Sequence, residues 1–172
     1  MTHPEAPEPS LAPEGGVVDM GTTYPAAPDA AALRDASAIA QRVSADEQAA
    51  DAERARLVDG SLPDLRSQVD GALPLTDGEL VHAIRHSALL EEGEPPTPKG
   101  GSLYLTSQRL VHVGEARREI GLAAIQESAV ALERLLLLDL TDGSDLAIEV
   151  DQPRLLRVQL AAARANARRR TP

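Results

Sequence analysis

The sequence predicts a mainly β fold closed by one C-terminal α-helix and preceded by an N-terminal extension that builds no core of its own. Three observations lead there. Apolar and polar residues alternate through much of residues 79–150, the period of strands. Residues 153–172 switch to helical period, with an apolar side and a stripe of arginines. The composition also changes at Gly78: residues 1–78 hold 13 Leu, Ile and Val and 8 of the 13 prolines, whereas the 94 residues after them hold 27 Leu, Ile and Val. Fully burying one such side chain is worth roughly 1.5–3 kcal/mol, so the material for a core lies after Gly78.

Residues 1–28 contain six prolines among small and acidic residues, a composition that predicts disorder. Residues 29–58 are Ala-rich and free of Pro and Gly, which predicts a helix, with Asp29 placed to cap its first turn and Gly60 just past its end. Leu33, Ala36, Ala40, Val43 and Ala50 recur near helical spacing, but Glu47 and Arg54 interrupt the stripe. The expectation is a weakly packed, solvated helix, because alanine buries too little area for a strong interface; a partner-binding or self-associating helix is the alternative. Residues 59–78, punctuated by Gly60, Pro63, Gly71, Pro74 and Gly78, read as a linker with a short helical turn through 64–69 and leucines that can dock on the following domain.

The domain is expected over residues 79–172. In residues 79–92, Leu80, His82, Ile84, His86, Ala88 and Leu90 fall on one face of a strand and Val81, Ala83, Arg85, Ser87 and Leu89 on the other, with a helix as the alternative. Three prolines and three glycines in residues 92–101 predict an exposed loop. Residues 102–106 and 109–114 flank Ser107-Gln108 as a tight hairpin. A turn follows over 115–118, then a short strand with an irregular exit, then one long strand over 129–140. Residues 141–145 form a turn in which Gly143 supplies positive φ and aspartates bond local amides. The returning strand places Leu146, Ile148 and Val150 on one face. Short spacing of this kind predicts an antiparallel sheet that curls or closes. Asp151 is the expected N-cap of the last helix, with Gln152 as rival because Pro153 suits N1. One side of that helix carries Leu155, Leu156, Val158, Leu160, Ala162 and Ala163; at about 100° per residue, Arg154, Arg157, Arg164 and Arg168 share a stripe about 80° wide.

The chain has 172 residues and a formal net charge of −10, a poor balance for coating nucleic acid, so no nucleic-acid partner is expected. It lacks Cys, Trp and Phe, which excludes disulfides, thiol nucleophiles, Cys-based zinc sites and most stacking platforms for single strands. The apolar run 135–138 is far too short to span a bilayer. Residues 1–20 carry acids and prolines with no basic region followed by an apolar one, so the expected compartment is the cytoplasm.

The hairpin Gly101-x-Leu103-Tyr104-Leu105-Thr106-x-x-Arg109-Leu110-Val111, followed by Ile120, Leu122 and Ile125, the turn Asp142-Gly143 and a single C-terminal amphipathic helix, resembles the pleckstrin-homology-like (PH-like) superfamily, and most of all its GRAM branch and bacterial relatives. The resemblance covers residues 79–170. It implies a bent, seven-strand antiparallel barrel with one open end plugged by the helix, and non-catalytic work: binding membrane lipids, peptides or proteins. Phosphoinositide-binding relatives gather Lys and Arg in the loop after the first strand. Here that loop, residues 91–99, carries three glutamates against Lys99, so lipid headgroup recognition is not expected.

The candidate sites are few. His82 and His86 share strand parity, and the layout that the resemblance implies puts His112 on a nearby strand, but no carboxylate stands at a telling spacing to complete a zinc site, and the histidines read as sheet-surface residues. Asp139, Asp142 and Asp145 span a turn where Asp serves local hydrogen bonds. No G-x-S-x-G, Walker-type or dinucleotide-binding motif occurs, so neither catalysis nor a cofactor is expected. The strongest charge feature is residues 153–172, with six arginines and no acid. Arg154, Arg157, Arg164, Arg168, Arg169 and Arg170 either complement the helix dipole or contact an anionic surface: lipid, nucleic acid, an acidic partner, or the chain's own acidic first half. The resulting expectation is a scaffold that binds a protein partner, with weak peripheral contact to an anionic membrane as the alternative.

Overall fold

The structure, a computed structural model, describes residues 30–69, 71, 73–91 and 97–170. Expected disorder over 1–28, the cap at Asp29 and most of the acidic loop lie outside the described residues. The chain runs α1 (Ala30–Asp59), a 3-10 turn (Arg66–Gln68), β1 (Val81–Glu91), β2 (Thr97–Thr106), β3 (Arg109–Gly114), β4 (Arg117–Gly121), a second 3-10 turn (Leu122–Ala124), β5 (Ile125–Ala131), β6 (Leu135–Leu140), β7 (Asp145–Val150) and α2 (Pro153–Arg170).

All seven strands form one antiparallel sheet in the order β4-β3-β2-β1-β7-β6-β5. Consecutive strands are neighbours except where the chain crosses from β4 to β5 through the second 3-10 turn, and β1 joins the two halves by pairing with both β2 and β7. Among the described residues the sheet is not closed, and β4 and β5 are its two edges, each with a single partner strand, which corrects the expectation of a barrel.

Residues 81–91 form a strand, two residues shorter at the start than expected, because both neighbours claim their main chain: β2 from Val81 to Glu91 and β7 at Ser87–Leu90. A register shift between Val81 and Ala83 puts both these small apolar residues inward, on opposite faces of the sheet. β2 begins at Thr97, so the expected loop loses its second half to the sheet. Pro98 is tolerated there because β2 gains β3 as a partner only from Gly101, leaving residues 97–100 with an open side that needs no N–H. The turn expected over 115–118 is shorter, since β4 starts at Arg117.

The expected long strand over 129–140 is two strands. The chain turns at residues 132–134, where Leu132 takes φ 53° and is 84% exposed. No Gly, Pro, Asn or Asp marks that turn, so the sequence reads straight through it. By contrast the turn at 141–145 works as its residues suggest: Gly143 has φ 83°, and the Asp142 carboxylate accepts from the Ser144 amide at 3.0 Å and its hydroxyl at 2.7 Å.

Two apolar clusters lie on opposite faces of the β1–β3 hairpins. The larger one joins Leu103, Leu105, Leu110, Leu136, Leu138 and Ile148 of the sheet to Leu156, Leu160 and Ala163 of α2, with Leu62 beside them. The smaller one joins Val81, Tyr104 and Val111 to Leu73, with Leu65, Val69 and Leu75 packed around. Leu65, Val69, Leu73 and Leu75 thus cover the second face of the sheet, which explains why β2 and β3 are apolar on both faces. The packing crosses the compositional boundary at Gly78.

Candidate interaction groove

α1 docks on α2 through carboxylates. Along α1 the inward residues are Asp46, Ala50 and Glu53, with Val43 and Leu57 half-buried, while Glu47 and Arg54, expected to interrupt the stripe, face out. Asp46 is 4% exposed, and its two carboxylate oxygens accept the main-chain amides of Arg154 at 2.9 Å and Leu155 at 3.0 Å. These are orphan donors of the first turn of α2, where the helix dipole favours an anion. The cap therefore comes from another helix. Asp151, the expected N-cap, instead accepts from the Arg134 guanidinium at 2.9 Å, and Gln152 supplies the carbonyl that receives Leu156 N–H at 3.0 Å.

One heptad further on, Glu53 accepts from the Arg56 guanidinium at 2.7 and 2.8 Å and from the Gln159 amide at 3.2 Å. The Arg56 bonds outweigh the upward push of burial, and with Gln159 they hold the Glu53 carboxyl below its ordinary range. Arg85 of β1 reaches the other side of Gln159, at 3.4 Å, beneath the two helices. Burial lowers its pKa, while Asp46, Asp151 and Glu53 act in the opposite direction.

Alongside this dock runs a groove with α2 as its floor and α1 and β5 as its walls. Two adjoining cavities of about 490 and 410 Å³ share Arg54 and Arg157. The first continues past Gln126 and Ser128 of β5 to Arg164, the second past Val130 to Arg154. From Arg154 to Arg164 the floor is about 15 Å long, at about 1.5 Å per helical residue.

The six arginines singled out in the sequence do not act alike. Arg154 is 3.7 Å from Asp46 and 3.5 Å from Glu47. Arg164 donates to the main-chain carbonyl of Ile125 and, at 3.1 Å, to that of Gln126, tying α2 to the start of β5. Burial and the neighbouring Arg168 lower its pKa. Arg157 lies exposed on the groove floor, and Arg168 and Arg169 are exposed beyond it. The side chain of Arg170 lies outside the described ones. Arg54 of α1, which the sequence reading treated only as a break in a stripe, adds a fourth guanidinium to the groove and pairs with Asp51.

The histidines were expected on the sheet surface, and two of them are buried. His82 is 5% exposed with Nδ1 2.7 Å from the Pro63 carbonyl, and His112 is 1% exposed with Nδ1 3.0 Å from the Ala116 carbonyl. Each ring ties a loop to the sheet; His86 alone of the three is exposed. Among the described residues no group of three His, Asp or Glu side chains could hold a metal ion. No helix among the described residues is long and apolar enough to cross a membrane.

Arg109, noticed as part of the hairpin pattern, organises a buried ion pair. It donates to Glu79 at 2.9 and 3.1 Å, to Glu119 at 2.6 Å and to the Pro74 carbonyl at 2.8 Å. Burial pushes the Glu79 carboxyl up, but the Arg109 guanidinium, the Thr76 amide and the hydroxyls of Thr106 and Thr76 more than offset this and hold it at about 2. This cluster fastens residues 74–79 to the β3–β4 hairpin.

No protein-family model matches the chain, and no curated protein matches it. Among solved structures it is similar to the C-terminal domain of an unknown protein from Leishmania infantum, at 16% identity and a TM-score of 0.41, over 49% of this chain and 87% of that one.

Proposed function

We propose that this chain is a non-catalytic interaction module of the PH-like, GRAM-like kind, which binds a protein partner by taking an extended segment into the groove between α1, α2 and β5. The single observation that carries the reading is an edge strand beside a cationic floor: β5 pairs only with β6 among the described residues, and Arg157 stands uncovered next to it. An unpaired strand edge offers main-chain hydrogen bonds to an extended peptide, and neighbouring guanidiniums select acidic side chains. The PH-like part of the proposal draws on the hairpin from Gly101 to Val111, on the strand order β4-β3-β2-β1-β7-β6-β5 and on the helix that follows β7.

The test is a titration of the isotopically labelled chain with an extended acidic peptide and, separately, with vesicles of anionic phospholipid. Peptide-induced shifts at residues 126–130 that are lost in Arg157→Glu support the groove. Shifts produced only by vesicles, centred on Arg168 and Arg169, would favour the membrane contact over a protein partner. No response to either overturns the groove.

A further inference from the structure

The groove and the first 29 residues have complementary charge. Residues 1–29 carry five acids and neither Lys nor Arg, while the groove is lined by four arginines against three acids, Glu47, Asp51 and Glu127, with the acids on its walls and Arg154, Arg157 and Arg164 on its floor. Within that segment the prolines fall into two groups, and between Pro13 and Pro25 the chain reads Glu-Gly-Gly-Val-Val-Asp-Met-Gly-Thr-Thr over residues 14–23. This stretch keeps every main-chain N–H and holds adjacent β-branched valines next to Asp19. Those are the features that let a segment lie along a strand edge.

Its reach is sufficient. Asp46 meets the first turn of α2 and Glu53 meets Gln159, so α1 and α2 run in the same direction. The start of α1 therefore overhangs the Arg154 end of the groove by sixteen residues, about 24 Å of helix at about 1.5 Å per residue. Ten residues of extended chain, from Ala30 back to Met20, span up to about 33 Å. The segment can fold back along α1 and bring residues 14–20 onto the groove floor.

We propose that residues 14–23 of this same chain occupy the groove, laying Val17 and Val18 along β5 and presenting Asp19 to Arg157, the floor arginine that α1 and β5 leave unengaged. This rests on the reading of the groove as a site for extended acidic peptides and names its resident occupant. An external partner then gains the groove only by displacing that segment, and added salt weakens the hold of the segment.

The absence of cysteine permits a direct test on the full chain. A nitroxide attached to Gly21→Cys is expected to erase the amide signals of residues 126–130 and of Arg157. Either high salt or the further change Asp19→Lys is expected to restore them. Signals left intact, or weakened evenly over the whole domain, overturn the proposal. So does signal loss that appears when nitroxide-bearing chains are mixed with isotopically labelled chains lacking the nitroxide, because the occupant would then be a second copy. A synthetic peptide of residues 14–23, added to the Asp19→Lys chain, separates the two readings. If the nitroxide leaves the signals intact but the peptide shifts residues 126–130, the groove stands and its resident occupant falls. If the peptide also has no effect, both fall.

Discussion

Asp46 of α1 caps α2: its carboxylate accepts the amides of Arg154 and Leu155, 108 and 109 residues further along the chain. Losing a capping carboxylate costs about 0.5–2 kcal/mol, and here the same change also removes the buried contact with the Arg154 guanidinium. Asp46→Ala is therefore expected to lower unfolding stability by about 2 kcal/mol, at the upper end of that range. Asp151→Ala, which removes no hydrogen bond to α2 but an exposed pair with Arg134, should change it by less than about 0.5 kcal/mol. Urea denaturation of the two variants decides which aspartate is the cap.

The acid limb of the stability curve should report Glu79. Its carboxyl sits at about 2 in the folded chain against an ordinary value of 4.5. The unfolded chain binds this proton first, so the contribution is complete above pH 4.5 and is lost as the pH falls toward 2. At about 1.4 kcal/mol per unit, the loss amounts to about 3 kcal/mol. Glu79→Gln is expected to be less stable than the parent near neutral pH and to converge with it near pH 2, as measured by denaturation across that range.

Gly101 faces Gly114 across β2 and β3. A Cβ at Gly101 would meet His112 Nε2 at 2.8 Å and the Gly114 Cα at 2.9 Å, and would collide with the Val113 carbonyl. Main chain cannot swing aside as a side-chain tip can. Gly101→Ala is expected to cost about 1–3 kcal/mol, in the range of overpacked sites. Gly121→Ala, whose Cβ meets nothing within 4 Å, provides the matched control. Their thermal midpoints should differ accordingly.

Leu132 holds a left-handed backbone at φ 53° with its side chain in solvent. That conformation costs a branched L-residue roughly 1–2 kcal/mol, and asparagine tolerates it better. Leu132→Asn is expected to raise stability by about 0.5–1 kcal/mol, visible as a higher denaturation midpoint.

What the sequence disclosed depended on which residues carried a local signal. The β2–β3 hairpin, the Gly143 turn and the helix beginning at Pro153 are written in alternation, turn chemistry and period. The turn at Leu132 carries no such mark, and its backbone is imposed by the pairing of β5 with β6. The face of α1 was misread for a physical reason. A search for apolar stripes passes over Asp46 and Glu53, which meet α2 through main-chain amides and Gln159, more than a hundred residues away. The arginines of α2 were visible as a group, but the division of labour among them was not. Arg154 and Arg164 are committed by neighbours from α1 and β5, elements whose position relative to α2 only the fold decides.

The carboxylates on the inner face of α1 also bear on how the chain is made. Synthesis at roughly 5–20 residues per second separates Asp46 from the amides of Arg154 by about 5–20 s, longer than β1 waits for β7. A helix with leucines at those inward positions would spend the interval as a sticky surface on the emerging chain. One with Asp46 and Glu53 there stays hydrated and harmless until α2 arrives, and only then gives up its water.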